Sequence, residues 1–167
     1  MNTEATDLTV IEEQHVSHLE FNVMPGRSVR EDLLVREYRV GHRYAEAHFD
    51  RSYSSAMAKS PSHLIFLSVQ VHSQKLLYMA LCREFDLPYD PDGPELFKMW
   101  PTKLDVRIPT LIADEEGLVQ QLWIRDLKRV RDGVYKAFVE TRVGSMQIIG
   151  EVPTFLMAAA NVGNAAA

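Results

Sequence analysis

One cysteine, Cys82, occurs in the 167 residues, which excludes an internal disulfide and suits a reducing cytoplasm; set in a run of helical spacing, it reads as a small core residue. No paired cysteines and no HExxH motif are present, and His15 and His18 lie three apart in a polar segment, so no metal site is expected. A glycine-rich phosphate loop and a GxSxG elbow are also missing, and chemistry without a cofactor, or none, is the expectation. The net charge of −5 argues against a nucleic-acid partner. No signal-peptide pattern is found, and the longest apolar stretch is interrupted by His63, His72 and Lys75, which argues against a membrane span. With 46% hydrophobic and 25% charged residues, the chain fits one domain with a real core and leaves no room for a second.

The stretch from Pro61 to Phe85 is apolar on nearly every side. Ser60 before Pro61 is a capping hydroxyl ahead of a proline at a first helical position, and Pro88 blocks continuation, so the spacing predicts one long helix between them. Leu64, Leu67, Val71, Tyr78, Leu81 and Phe85 form one stripe and Ile65, Val69, Leu76 and Met79 a second, so the helix must be surrounded by protein. Ahead of it, Leu33 to Phe49 holds two strand-like runs around Gly41-His42, a hairpin or a bulged long strand. Behind it, Pro88 to Pro94 is a loop with three prolines. The segment KMWPTKLDVRIPTLI follows as a strand demoted to an edge by Pro101 and Pro109. Leu118 to Val130 is extended, Asp132-Gly133 is a hairpin turn, Val134 to Val143 alternates, and a last strand runs from Met146 to Met157. Residues 1–15 are expected to be a flexible lead, 16–157 the domain, and the alanine-rich residues 158–167 a flexible tail.

A hairpin, a long buried helix and then three or four antiparallel strands predict an α+β fold of hotdog type, a curled antiparallel sheet wrapped around one central helix, because only a bending sheet hides such a helix. A flat α+β sandwich is the alternative. At helical spacing His63, Gln70 and Gln74 share a stripe with Ser73 at its margin. Polar groups inside an apolar helix need partners, since each buried unpaired amide costs roughly 1–3 kcal/mol. They are either satisfied by sheet backbone or turned to a ligand, with Gln74 or Ser73 orienting a water or a thioester carbonyl that the amides at the helix start polarise. His72 faces the opposite side and reads as structural, with substrate contact as the other reading. His48, expected in a loop entering the helix with Asp50, Arg51 and Tyr53, is the general-base candidate. Arg125, Lys128, Arg129 and Arg131 form a basic run, either a solvated hairpin end or a dock for the phosphates of coenzyme A or an acyl-carrier protein.

RSYSS before the helix, LIFLSVQVHSQ ending at Gln74, RDLK from Arg125 to Lys128, and GEV from Gly150 running into AAAN at Ala158 to Asn161 together resemble the FcoT-like acyl thioesterases of the hotdog superfamily, over about residues 33–161. The resemblance implies hydrolysis of long-chain acyl thioesters by tyrosine and amide side chains without a catalytic carboxylate, and for some members addition of glycine to an unsaturated acyl thioester. The family's mid-helix Asn-Gln pair reads Ser73-Gln74 here, and its loop tyrosine corresponds loosely to Tyr53. A wider likeness, in FKMWPTKLDVRIP and AHF, is to A-factor-biosynthesis domains and hydroxyacyl-carrier-protein dehydratases. Both place a Glu four residues before the Gln, where this chain has Gln70, an amide that takes no proton at ordinary pH. Three functions are therefore expected in competition: an acyl thioester hydrolase, an acyltransferase or amine-adding enzyme, and a silent acyl-binding module. An unpaired sheet edge and the resemblance both imply a homodimer with the site at its interface.

Overall fold

The Ile65, Val69, Leu76 and Met79 stripe is buried against a single sheet, whereas Leu67 and Val71 of the other stripe are exposed, so the helix is not covered on every side as its sequence predicts. The computed structural model describes residues 7–57 and 61–157. In chain order it contains β1 (Thr9–Ile11), β2 (His15–Met24), β3 (Arg27–Gly41), β4 (Tyr44–Ser55), α1 (Phe66–Glu84), β5 (Phe97–Met99), β6 (Lys103–Arg107), β7 (Leu118–Arg131), β8 (Val134–Val143) and β9 (Met146–Leu156). All strand pairs are antiparallel. They form one nine-stranded sheet in the order β1-β3-β4-β7-β8-β9-β5, with β2 also on β3 and β6 also on β9. The architecture is α+β, a curled antiparallel sheet with one helix in its concavity.

Two bulges let long strands curl without losing their inner face, because each extra residue resets the alternation and adds local bend. In β3 the register shifts between Val35 and Glu37, so Leu33 and Val35 before it and Tyr38 and Val40 after it are all buried. In β7 the shift between Ile124 and Asp126 leaves Leu118, Leu122 and Ile124 facing the core, with Leu127 packed against it. Against these residues α1 buries Val69, Leu76, Met79, Ala80, Leu81 and Cys82. Burial pushes the Cys82 thiol up to about 12, which makes it an inert core residue.

Several turns lie where the sequence puts them. Gly133 closes the β7–β8 hairpin at φ 66 and Gly144 the β8–β9 hairpin at φ 51, positions that favour glycine. The expected hairpin at Gly41-His42 joins β3 to β4, with Arg43 carrying the positive φ of 53. Three expectations need correction. The helix starts at Phe66, five residues after Pro61; Ile65 is its N-cap and has no side-chain cap. The cap comes from elsewhere in the fold, the Glu31 carboxylate of β3 accepting the Ile65 N–H at 3.1 Å, while the Leu64 N–H is taken by Ile112 O at 2.8 Å. The Pro101-containing segment is two strands, β5 and β6, with Pro101 in the break. Residues 7–15 are held to the fold, since β1 pairs with β3 and Glu13, between β1 and β2, accepts Lys75 Nζ at 2.5 Å and Tyr89 O–H at 2.9 Å. Residues 1–6 and the alanine-rich tail lie outside the described residues.

Candidate functional site

Between the middle of α1 and the β6–β9–β8–β7 side of the sheet runs a cleft whose polar rim is Gln70, Ser73, Gln74 and Thr141. Its walls are apolar, with Leu77, Met99, Trp100, Leu104 and Val139 among them, and Gly150 lies in its floor. The empty space is about 390 Å³ counting the open mouth, but only about 20 Å³ admits the centre of a water-sized sphere. That is the order of one water. As it stands the cleft is a narrow slot.

Behind the rim lies a chain of buried polar side chains. Gln120, fully buried on β7, donates from Nε2 to Val69 O at 3.0 Å and to Ser73 Oγ at 2.9 Å. A backbone carbonyl only accepts, so this fixes the orientation of the amide. Its Oε1 therefore accepts from His72 Nδ1 at 2.9 Å, which leaves His72 Nε2 as the acceptor of the Tyr38 O–H at 3.1 Å. Burial lowers the His72 pKa to about 4, helped by the charges of His15 and Lys75 and opposed by the bond to Gln120. Burial likewise raises Tyr38. Both groups are neutral at pH 7, as their hydrogen bonds require. Ser73 Oγ lies 2.7 Å from Val69 O and 3.2 Å from Thr141 Oγ1. Its one proton serves the carbonyl, the shorter contact, and Thr141 is left to direct its own proton at Ser73.

The candidate residues are thus sorted by position. Gln70, Ser73 and Gln74 come together on the rim. Among the described residues no hydrogen bond engages the side-chain amides of Gln70 and Gln74, and Gln74 is exposed, so both amides face the open slot with donors and acceptors to offer. Ser73 is committed to Val69 and Gln120. His72, read as structural with substrate contact as the other reading, is buried at 2% exposure inside the polar chain.

His63 is not on the stripe, because the chain is not yet helical there; its ring bonds Pro61 O at 2.9 Å and lies 6.2 Å from the Tyr53 ring. Tyr53 and His48 belong to β4, not to a loop. Phe49 faces the helix, with its ring 6.3 Å from that of His72, so the adjacent His48 points from the convex face, where its Nε2 meets Glu46 Oε1 at 2.9 Å. The cleft opens on the concave face, and neither His48 nor Tyr53 lines it. The Ile65 N–H, one of the amides expected to polarise a substrate carbonyl, is occupied by Glu31.

The basic run is also away from the cleft. Arg125 lies on the convex face, donating to Glu140 Oε2 at 2.8 Å and stacking over Trp123 at 4.8 Å. Lys128 meets Asp126 at 3.4 Å and Arg129 meets Asp132 at 2.5 Å. Arg131 stands at the hairpin tip opposite Val134, nine residues along β7 from Leu122 of the cleft wall, roughly 30 Å at a strand's rise per residue.

Two groups that sequence reasoning missed belong to the site, Gln120 behind the rim and Thr141 on it. A signal was present, since each interrupts the apolar alternation of an inward-facing strand. No protein-family model matches this chain, and no curated protein sequence does. No helix among the described residues is long and apolar enough to cross a membrane, and none of their acidic, histidine and cysteine side chains cluster in threes where a metal ion could be held.

Proposed function

We propose that the chain is a hotdog-type domain that acts on acyl thioesters, holding the acyl group in the slot between α1 and the sheet and the thioester at the Gln70 and Gln74 amides. The curled antiparallel sheet around one helix supports the fold reading. The observation that carries the function is the slot itself, apolar along its walls with two unengaged amides at its rim. An acyl chain satisfies the first once the slot, which now has room for about one water, is widened, and a carbonyl accepts from the N–H groups of the second. Hydrolysis in lipid or secondary metabolism, with coenzyme A or an acyl-carrier protein as the carrier, is the reaction this arrangement favours. Gln74 would donate to the carbonyl oxygen and Gln70 orient the attacking water.

Among the described residues no titratable side chain lines the slot, and this favours a second reading, an acyl-binding module, or a transferase in which an amine such as glycine, nucleophilic without help, replaces water. Product analysis by mass spectrometry separates the three. Free acid from saturated acyl-coenzyme A supports the hydrolase, an adduct formed only with added amine the transferase, and intact thioester the binding module. In the hydrolase case Gln74→Ala should lower kcat by about a hundredfold, the order lost with one oxyanion donor, at an unchanged unfolding midpoint. Turnover equal to wild type removes Gln74 from the mechanism.

A homodimer belongs to the same reading. Among the described residues β6 pairs only with β9, so its other edge is open beside the slot, where Trp100 and Leu104 are exposed, and Phe66, Leu67 and Val71 of the helix are exposed as well. Unpaired edges with apolar neighbours are commonly closed by a second strand. Sedimentation should give twice the chain mass of 19.1 kDa; a monomer with full activity argues against a shared site.

A further inference from the structure

Gly150 is a glycine in the middle of a strand, at neither a turn nor a positive φ. Its neighbours along β9, Ile148 and Val152, are buried on the inner face, and its cross-strand partners are Leu104 on β6 and Val139 on β8. All five residues border the slot. A mid-strand glycine marks a place where something else approaches the backbone closely. Here it leaves a dimple in the sheet, ringed by four apolar side chains and facing the helix.

That dimple is partly filled. A Cβ built on Gly150 would lie 3.1 Å from Leu104 Cδ2, 3.4 Å from Lys103 O and 3.4 Å from Val139 Cγ2. Of these only the Leu104 methyl belongs to a mobile group, on an edge strand and 41% exposed. Leu104 therefore leans into the space that a side chain at position 150 would use, and it is the neighbour free to yield.

We propose that Gly150 and Leu104 together set the acyl length the slot accepts, Gly150 supplying the dimple that receives the chain end and Leu104 the movable plug over it. This rests on the acyl reading of the slot and narrows it to short, linear acyl groups. The chain descends from the amide rim onto the sheet and stops at the backbone of β9, with no room to run on. A branched end meets Ile148, Val139 or Val152. Leu104→Ala removes the plug and lengthens the accepted chain; Gly150→Ala raises the floor and shortens it.

The probes are S-alkyl coenzyme A thioethers with ethyl, butyl, hexyl, octyl and dodecyl chains, and the readout is the fluorescence of Trp100, which lies in the slot wall. Trp123, on the other face of the sheet, is changed to Phe in every protein compared. The expected result is an affinity optimum at butyl or hexyl that moves up in Leu104→Ala and down in Gly150→Ala. In Gly150→Ala each excluded methylene costs roughly fourfold in Kd, the factor equivalent to one buried methylene, and the double variant lies between. The Gly150→Ala contacts ask Leu104 to give by only a few tenths of an ångström, and Leu104→Ala alters an exposed side chain, so the pair keeps the test open if one variant is unstable. Binding with an optimum that neither substitution moves, or that both move in the same direction, overturns the assignment of Gly150 and Leu104 while the acyl reading stands. If no thioether perturbs Trp100 in any of these proteins, the acyl reading fails and this inference with it.

Discussion

Replacing Arg51 by alanine will cost about 3–5 kcal/mol of folding free energy, the range for removing one partner of a buried ion pair. Arg51 and Glu31 have side chains with no exposure and meet at 3.2 Å. The guanidinium also donates from Nε to Asp114 O at 2.8 Å and from Nη2 to Ser62 Oγ at 2.9 Å and Ala113 O at 3.1 Å. It thereby ties β4 to the segment entering the helix and to the connection between β6 and β7. Glu31, on the neighbouring strand, caps the helix through the Ile65 N–H. Burial pushes the Glu31 pKa up, while the Ile65 N–H and Arg51 pull it down. Nearby Ser68 lowers it too, although its Oγ makes no hydrogen bond of ordinary geometry. With Arg51 gone, a buried carboxylate either ionises unpaired or takes up a proton. Against a typical total stability of about 5–15 kcal/mol, the loss is a large fraction.

A denaturant midpoint for Arg51→Ala within experimental error of wild type would show that the clasp is not needed. A double-mutant cycle refines the point, because Glu31→Gln keeps an acceptor for Ile65 and removes the charge. It should damage wild type more than it damages Arg51→Met, where no cation remains to be orphaned.

This clasp is also what the sequence could not disclose. Ser60-Pro61 looks like a helix start by every local rule, yet the helix begins at Phe66 because a carboxylate 34 residues earlier in the chain supplies the cap. Local motifs cannot report a cap from another strand. The N-terminal strands escaped for a related reason. Leu19, Phe21 and Val23 alternate and Pro25-Gly26 makes a turn, but Phe21 and Val23 are exposed, and the pairing is decided by the outer edge of β3, which is longer than β4 needs. The strands after the helix were legible because their turns are coded locally, at Gly133 and Gly144, and their inner faces are apolar. Within the site, the neighbourhood of Gln70, Ser73 and Gln74 follows from helical spacing alone. The placement of His48, Tyr53 and the basic run does not. His48 and Tyr53 sit on a strand that reads as a loop, and the one-residue bulge of β7 at Arg125 resets which side the basic run faces.

The second large effect is a loss of stability in acid that runs through His72. Its pKa is about 4 in the folded chain against an ordinary 6.5, so between those values the unfolded chain binds the proton and the folded chain does not. Stability contributed by the neutral imidazole is complete above pH 6.5 and is lost as pH falls towards 4, by about 3 kcal/mol over the whole window. The physical event is specific. A proton on Nε2 removes the acceptor of the Tyr38 O–H, whereas Nδ1 keeps Gln120. The charge then sits in the core, with Lys75 and His15 adding repulsion. His72→Gln supplies a side chain that accepts and donates without titrating. It should be less stable than wild type at pH 7, and the gap should close as pH falls from 6.5 to 4 at constant ionic strength. Glu31, whose raised pKa makes it gain stability as pH falls, acts equally in both proteins and cancels from the difference. The carboxylates held low by their partners, Asp32, Asp50, Glu46 and Glu140, also cancel, and their losses begin near the acid end of the window. Denaturant midpoints for the two proteins that run parallel across the window would mean that His72 does not couple to folding. If the gap closes, the neutral polar chain from Tyr38 to Ser73 behind the Gln70 and Gln74 rim is part of what holds the fold together.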